Sequence, residues 1–160
     1  FFIFYNYTDT FIIYVNDVNE APTSLTLSNN TINENSATGT TIGSFSTTDV
    51  DGGETHTYSL VSGTGDTDNL SFTLTTAGVL KSAQVFNYEV KNSYSIRVRT
   101  TDSGGLTYTG IFTILVTDVN EPPTAISPTS INFQENQATG TTVTTFSVTD
   151  PDIGDTHTYE

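Results

Sequence analysis

Cysteine, methionine and tryptophan are absent from the 160 residues, and the only basic side chains are Lys81, Lys91, Arg97 and Arg99. Without cysteine there are no disulfides and no thiol chemistry; secretion is not thereby excluded, because another device, such as a metal ion, can brace a domain. Four cations stand against 18 acids, for a net charge of −14. Nucleic acid and anionic membrane surfaces want clustered Lys and Arg, so both are excluded as partners. No hydrophobic run reaches the length of a membrane span, so no direct membrane insertion is expected. Phe1 to Tyr5 is apolar but has no basic flank or small-residue cleavage site, and it is not read as a signal peptide. A helical period is missing, as are a phosphate-binding glycine loop and a Ser-His-Asp constellation. What remains is rich in Thr, Ser and Asn, in the manner of extracellular β-proteins.

What is present is a repeat. Asp118-Val119-Asn120-Glu121-Pro122-Pro123-Thr124 echoes Asp17-Val18-Asn19-Glu20-Ala21-Pro22-Thr23, 101 residues earlier. At that shift residues 17–59 align with 118–160 without gaps, and 23 of 43 positions are identical. Glu34-Asn35 returns as Glu135-Asn136, Asp49-x-Asp51 as Asp150-x-Asp152, and Thr55-His56-Thr57-Tyr58 as Thr156-His157-Thr158-Tyr159. A fixed period signals an array of modules, and about a hundred residues is the size of one small domain. The expected organisation is the end of one module at 1–17, a complete module at 18–118 and the first part of another at 119–160. The chain begins without Met and stops inside a strand-like segment, which reads as a piece of something longer.

The segments between linkers read as strands. Thr10 to Asn16 is β-branched and aromatic, as a final strand of the preceding module would be. Strands are also expected at Ser24–Ile32, Thr40–Thr47, Thr55–Val61, Leu70–Thr75, Gly78–Ser82, around Tyr94–Val98 and at Leu106–Thr117. Tyr94, Ile96 and Val98 alternate with Ser95, Arg97 and Arg99, which predicts one buried and one charged face. Turn signals separate them at Gly52-Gly53, Gly63-x-Gly65, Ala77-Gly78 and Gly104-Gly105. About seven short strands in a hundred residues is the pattern of an all-β, immunoglobulin-like Greek-key sandwich, repeated in tandem.

The acids are ordered too. Twelve of the 18 recur at strand ends or in loops, and strand interiors are nearly free of them. Packed carboxylates repel one another, and a divalent cation reverses that sign. Calcium takes six to eight hard oxygen ligands, which is what these loops supply. With no thiolate and both His at strand-like positions, zinc or copper is disfavoured.

In order along the chain, Asn33-Glu34-Asn35, Asp49-Val50-Asp51, Phe86-Asn87-Tyr88-Glu89, Thr101-Asp102 and the proline-stiffened linker resemble the signatures of cadherin repeats. The resemblance covers the whole chain. Asn87 stands where the family has Asp, Glu121 where it has Asp, and Pro122 where it has Asn. Each motif alone is weak; the ordered set on one period is strong. The resemblance implies sandwich modules with Ca2+ at each joint, outside the cell on a surface protein. At the second joint it implies Glu34, Asn87, Glu89, Asn120, Glu121, Asp150 and Asp152 as ligands, with Asp118 less firmly included. At the first it implies Asn19, Glu20, Asp49, Asp51 and Asp102.

Blander readings compete at several positions. Asp49-x-Asp51-Gly52 opens like an EF-hand loop, but Gly53 and Leu60 occupy positions where that loop needs oxygen ligands. Asp66 to Asn69 reads as a solvated turn, and His56 and His157 as neutral strand histidines rather than catalytic ones. Glu34 and Glu89 have no deep cleft to make a glycosidase pair. Tyr58, Tyr88, Tyr94 and Tyr108 read as core or sheet-face residues rather than a sugar platform. Asn6, Asn29 and Asn69 lie in glycosylation sequons, relevant only in a glycosylating host. No enzyme is expected. Two function classes stand. One is an adhesive cell-surface segment whose partners are identical or related cadherin-like repeats or surface glycans. The Thr-rich, Lys-poor composition resembles bacterial surface proteins more than animal cadherins, and without Trp there is no Trp-anchored strand exchange. The other class is a passive spacer or polysaccharide-binding module of a larger secreted protein. Aromatics exposed in a row would favour sugar binding; aromatics between the sheets would favour adhesion or spacing.

Overall fold

A computed structural model describes residues 1–160. Its centre is eight strands: β1 (Ser24–Leu27), β2 (Thr31–Asn33), β3 (Thr41–Thr48), β4 (Thr57–Leu60), β5 (Phe72–Leu74), β6 (Val79–Ser82), β7 (Ser93–Thr101) and β8 (Thr107–Thr117). They form two four-stranded sheets, ordered β1-β3-β6-β5 and β2-β8-β7-β4. Every pairing is antiparallel except β2 with β8, which run parallel. The chain passes from one sheet to the other at every connection except β5–β6 and β7–β8. This is the expected immunoglobulin-like sandwich.

Period-two alternation builds the core. Tyr94, Ile96, Val98 and Thr100 of β7 are buried, with Ile114 and Val116 of β8 beside them. Leu25, Ile42, Phe45, Phe72, Leu80 and Phe86 close the core from the other sheet and its loops. Aromatic rings meet inside it, Phe45 against Phe112 at 4.9 Å between centroids and Phe86 against Tyr94 at 4.7 Å. Such pairs add roughly 0.5–1.5 kcal/mol each beyond the area they bury. Thr100 is fully buried, and its hydroxyl shares a 2.8 Å hydrogen bond with that of Thr47 across the sheets.

The strand expectations need four corrections. Ser24–Ile32 is not one strand but two, β1 and β2, at the edges of opposite sheets, with the crossing held by Asn29 Nδ2, which donates to the Thr31 and Ile42 carbonyls. Thr10 to Asn16 is not a strand here; every side chain is exposed, because no neighbouring sheet edge offers its backbone a partner. Leu70 is 97% exposed within a 3-10 turn at Asn69–Ser71, so β5 starts only at Phe72. The turn is held by Asp68, whose Oδ2 accepts the Ser95 amide at 2.8 Å and whose Oδ1 pairs with Lys91 at 2.5 Å. The Asp66–Asn69 stretch is therefore a structural clasp and not merely a solvated turn. Finally, the register slips between Thr41 and Gly43, so Ile42 and Gly43 are both buried and strict alternation breaks. A Cβ on Gly43 would lie 2.5 Å from the Asn29 carbonyl, so this bulge requires glycine.

Beyond β8 the chain forms only a two-stranded ladder, β9 (Ala125–Ser127) with β10 (Ser147–Thr149). Its register, Ala125 with Thr149 and Ile126 with Val148, reproduces Ser24 with Thr48 and Leu25 with Thr47 at the 101-residue shift. Ile126, Phe133, Val143 and Phe146, the counterparts of core residues or of their neighbours, are exposed.

Candidate metal centre at the joints

The topology brings the acids together. Because β2 and β8 are parallel with Asn33 opposite Thr117, both strands finish at the same end of the sandwich. The residues that follow, Glu34 and Asp118, emerge side by side. Glu34 is buried, 2% exposed, and both of its oxygens are used. Oε2 accepts the Tyr88 amide and Oε1 the Val119 amide, each at 2.8 Å. One carboxylate thus ties the β6–β7 loop and the linker to the base of the module. Burial pushes the Glu34 carboxyl up, but the two amides, with help from Glu89 and Asp118, outweigh it and hold the carboxyl below the ordinary range.

Phe86, fully buried, pins the β6–β7 loop beneath this point, and the Asn35 amide donates to its carbonyl at 3.0 Å. Asn87 Oδ1 accepts the Val90 amide at 2.8 Å, closing the turn that presents Glu89. Glu34, Glu89 and Asp118 each place a carboxylate oxygen within 4.8 Å of the others; so do Glu89, Glu121 and Asp152, and so do Asp150, Asp152 and Asp155. Glu89 and Asp152 belong to two of these groups each, so the acids form one continuous chain from the module's base, across the linker, to the next module's first loop. Asn120 lines a polar cleft with Asp118, Asp152 and Asp155. The linker itself is docked by the Glu121 amide on Asp152 Oδ2 at 2.7 Å, and Asn35 Nδ2 donates to Glu121 Oε1.

No Lys or Arg pairs with any of these carboxylates; the only ion pairs are Lys91–Asp68 and the two His–Asp contacts. The electrostatic consequence is visible. Burial, then the charges of Asp152 and Glu34, push the Asp118 carboxyl above its ordinary range. Burial likewise raises Glu121, against the Asn35 hydrogen bond and with the charges of Glu34, Asp152 and Glu89 adding to it. Glu121 Oε2 and Asp152 Oδ1 reach neither a donor nor solvent. Hard oxygens crowded without a basic side chain, two of them orphaned, fit a calcium-type ion.

The first joint repeats the upper half of this arrangement. The Glu20 amide donates to Asp51 Oδ2 at 2.8 Å, and Asp17, Glu20 and Asp51 cluster within 4.8 Å. Asn19 Nδ2 donates to Asp102 Oδ2 at 3.2 Å, while Asp102 Oδ1 takes the Leu106 amide and shapes the β7–β8 turn. A side-chain hydrogen bond with Asp51, then burial, then the neighbouring acids raise the Glu20 carboxyl. Asp49 is drawn the other way: its Oδ2 lies 3.0 Å from His56 Nε2, and that hydrogen bond holds the carboxyl low. Asp150 and His157 repeat the pair at 2.8 Å, with the same lowering.

The sequence-based set did not include Asp17, Glu54, Asp155 or the two histidines. Glu54 and Asp155 occupy one acidic position of the repeat, and that recurrence was the available signal. Glu54 completes a group with Asp49 and His56, and its Oε1 accepts the Ser103 hydroxyl at 2.8 Å.

The Cadherin domain profile matches residues 28–117, more than half of the chain. The chain belongs to the cadherin family. Mouse protocadherin Fat 4 is 33% identical over 125 residues, 77% of this chain and 2% of Fat 4. The human cadherin EGF LAG seven-pass G-type receptor 2 is 32% identical over 150 residues, 89% of this chain and 5% of the receptor. The EC3-6 cis-dimer structure of protocadherin gammaB7 superposes with a TM-score of 0.62 at 29% identity, over 84% of this chain and 32% of that one. The cadherin segment therefore spans a small fraction of these relatives' length. Cadherin domains of this kind are extracellular modules of cell-surface adhesion proteins and not enzymes. No helix is long and apolar enough to cross a membrane.

Proposed function

We propose that this chain is a calcium-stiffened stretch of an adhesive cadherin array, with a complete repeat at 18–118 flanked by parts of two others. The observation that carries the reading is the second joint: acids from one module, the linker and the next module converge with no Lys or Arg among them, and Glu121 Oε2 and Asp152 Oδ1 have no partner. Glu34, Glu89, Asp118, Asn120, Glu121, Asp150 and Asp152 would hold the ion there, with Asn87 contributing through the turn that carries Glu89. Asn19, Glu20, Asp49, Asp51 and Asp102 would do so at the first joint, joined by Asp17. Calcium supplies the positive charge that removes the repulsion among these groups. The chain's own part is to hold the two modules' acids on opposite sides of a short linker, so that neutralising them fixes the modules relative to each other.

A string fixed in this way can present binding surfaces at a distance, and we assign the partners to identical or related cadherin-like repeats. Glycan binding is less favoured. Phe45, Phe72, Phe86 and Tyr94 are buried between the sheets, and in the sandwich only Tyr108 is an exposed aromatic. The test is a thermal melt and a small-angle scattering profile of a chain with complete repeats on both sides of the joint, in calcium and in excess chelator. A higher melting temperature and a straighter, narrower distribution of shapes in calcium are expected. Unchanged melts and unchanged flexibility would overturn the reading and leave a calcium-independent spacer.

A further inference from the structure

The two histidines sit beside the acids without joining the ligand set described above, and their placement is the same in both repeats. Asp49 immediately follows β3 and His56 immediately precedes β4, so the pair ties one sheet to the other. The Asp49 side chain is 4% exposed and that of Asp150 is 6% exposed. Burying a carboxylate is costly unless donors meet it. Each has the same two donors. Asp49 Oδ1 accepts the Asp51 amide at 3.3 Å and Oδ2 faces His56 Nε2 at 3.0 Å. Asp150 Oδ1 accepts the Asp152 amide at 3.0 Å and Oδ2 faces His157 Nε2 at 2.8 Å. A carboxylate only accepts, so Nε2 carries the proton in both pairs. Two donors on two oxygens fix the plane of the carboxylate, yet each oxygen keeps a further lone pair.

We infer that His56 and His157 are positioning residues for a divalent cation at the joints, each locking the first Asp of the Asp-x-Asp pair in a ligating orientation. This rests on the calcium reading above. Groups that hydrogen-bond metal-ligating side chains set their orientation, and losing them commonly weakens metal binding 10–100-fold. His157 is the one to vary, because it lies outside the sandwich of residues 24–117 and acts at the joint where both modules contribute acids.

The experiment is a calorimetric titration of the 160-residue chain with calcium chloride, for wild type, His157→Leu and His157→Gln, with melts of each in excess chelator. Gln places an amide N–H near the position of Nε2; Leu fills space without a donor. The expected result is a dissociation constant raised tenfold or more in the Leu variant and by no more than roughly threefold in the Gln variant, with chelator melts unchanged. Equal affinity in wild type and the Leu variant would overturn the inference. So would a Gln variant as weak as Leu, or a Leu variant whose chelator melt falls in step with its affinity, since the histidine would then be a structural filler. Failure of the wild type to bind calcium at all would sink the calcium reading itself, an outcome separate from indifferent variants of a chain that binds.

Discussion

The two joints are near copies in sequence, and residues 1–160 hold the acids on both sides of only the second. Both have a linker amide docked on the second Asp of an Asp-x-Asp pair, Glu20 on Asp51 and Glu121 on Asp152. Both have a histidine on the first Asp. Only the second is underlain by Glu34 and Glu89, which come from the far end of the preceding sandwich. Those two acids extend the cluster from the linker to the base of the module and add charge that the linker cannot neutralise.

Breaking the second joint at its base has the largest expected effect. Glu34→Ala removes two charged hydrogen bonds from a buried group, each worth about 1.5–3 kcal/mol, so a loss of about 3 kcal/mol or more is expected in chemical denaturation. That loss should persist in chelator, which separates the clasp from the ion. Asp150→Ala with Asp152→Ala comes next. In a chain with complete flanking repeats it should abolish the calcium-dependent stabilisation, about 2.7 kcal/mol at a hundredfold excess of ion over Kd; a melt in calcium and in chelator measures it. Asp49→Ala with Asp51→Ala in the same chain sharpens the contrast. It should lower stability through the hydrogen bonds lost at the first joint, while calcium affinity at the second joint, read by titration, stays at the wild-type value.

The smallest effect is on pH, in chelator. Asp118 and Glu121 have carboxyls raised in the folded state, so they add stability as pH falls through their raised values, and lose it as pH climbs back. Glu34 is lowered, so its contribution is present above the ordinary carboxylate range and disappears as pH falls below it. The calcium-free chain should therefore gain a little stability on mild acidification and lose it on stronger acidification. Glu121→Gln should flatten the gain and leave the loss, as melts across pH would register.

Much of this was legible in sequence because burial and repetition leave periodic traces. Tyr94, Ile96 and Val98 announced a half-buried strand, and the recurrence of Glu34, Asp49 and Asp51 pointed to acids gathered at the joints. Residues 7–17 show where legibility ends. They match 108–118 at Tyr, Thr, Phe, Ile, Val and Asp, yet one copy is most of β8 and the other forms no ladder. A strand is a relation between chains of hydrogen bonds, and the pattern of one side cannot supply the other. Gly43 and its bulge were hidden for a related reason: the constraint is the Asn29 backbone, which no local pattern records. The histidines were read as inert because nothing in their immediate neighbours shows that an Asp seven residues earlier folds back onto them.

The parallel pairing of β2 with β8 has a mechanical consequence. The chain enters the sandwich above β1 and leaves it below β8, at opposite ends. A pull on the two linkers therefore drags β2 and β8 in opposite senses along their length. The ladder from Thr31 opposite Leu115 to Asn33 opposite Thr117 is loaded in shear, with its bonds sharing the force, and does not unzip one bond at a time. Glu34, anchored at the foot of that ladder to the Val119 amide, takes up tension at the point where it enters the module. An array under traction would yield last where β2 and β8 slide.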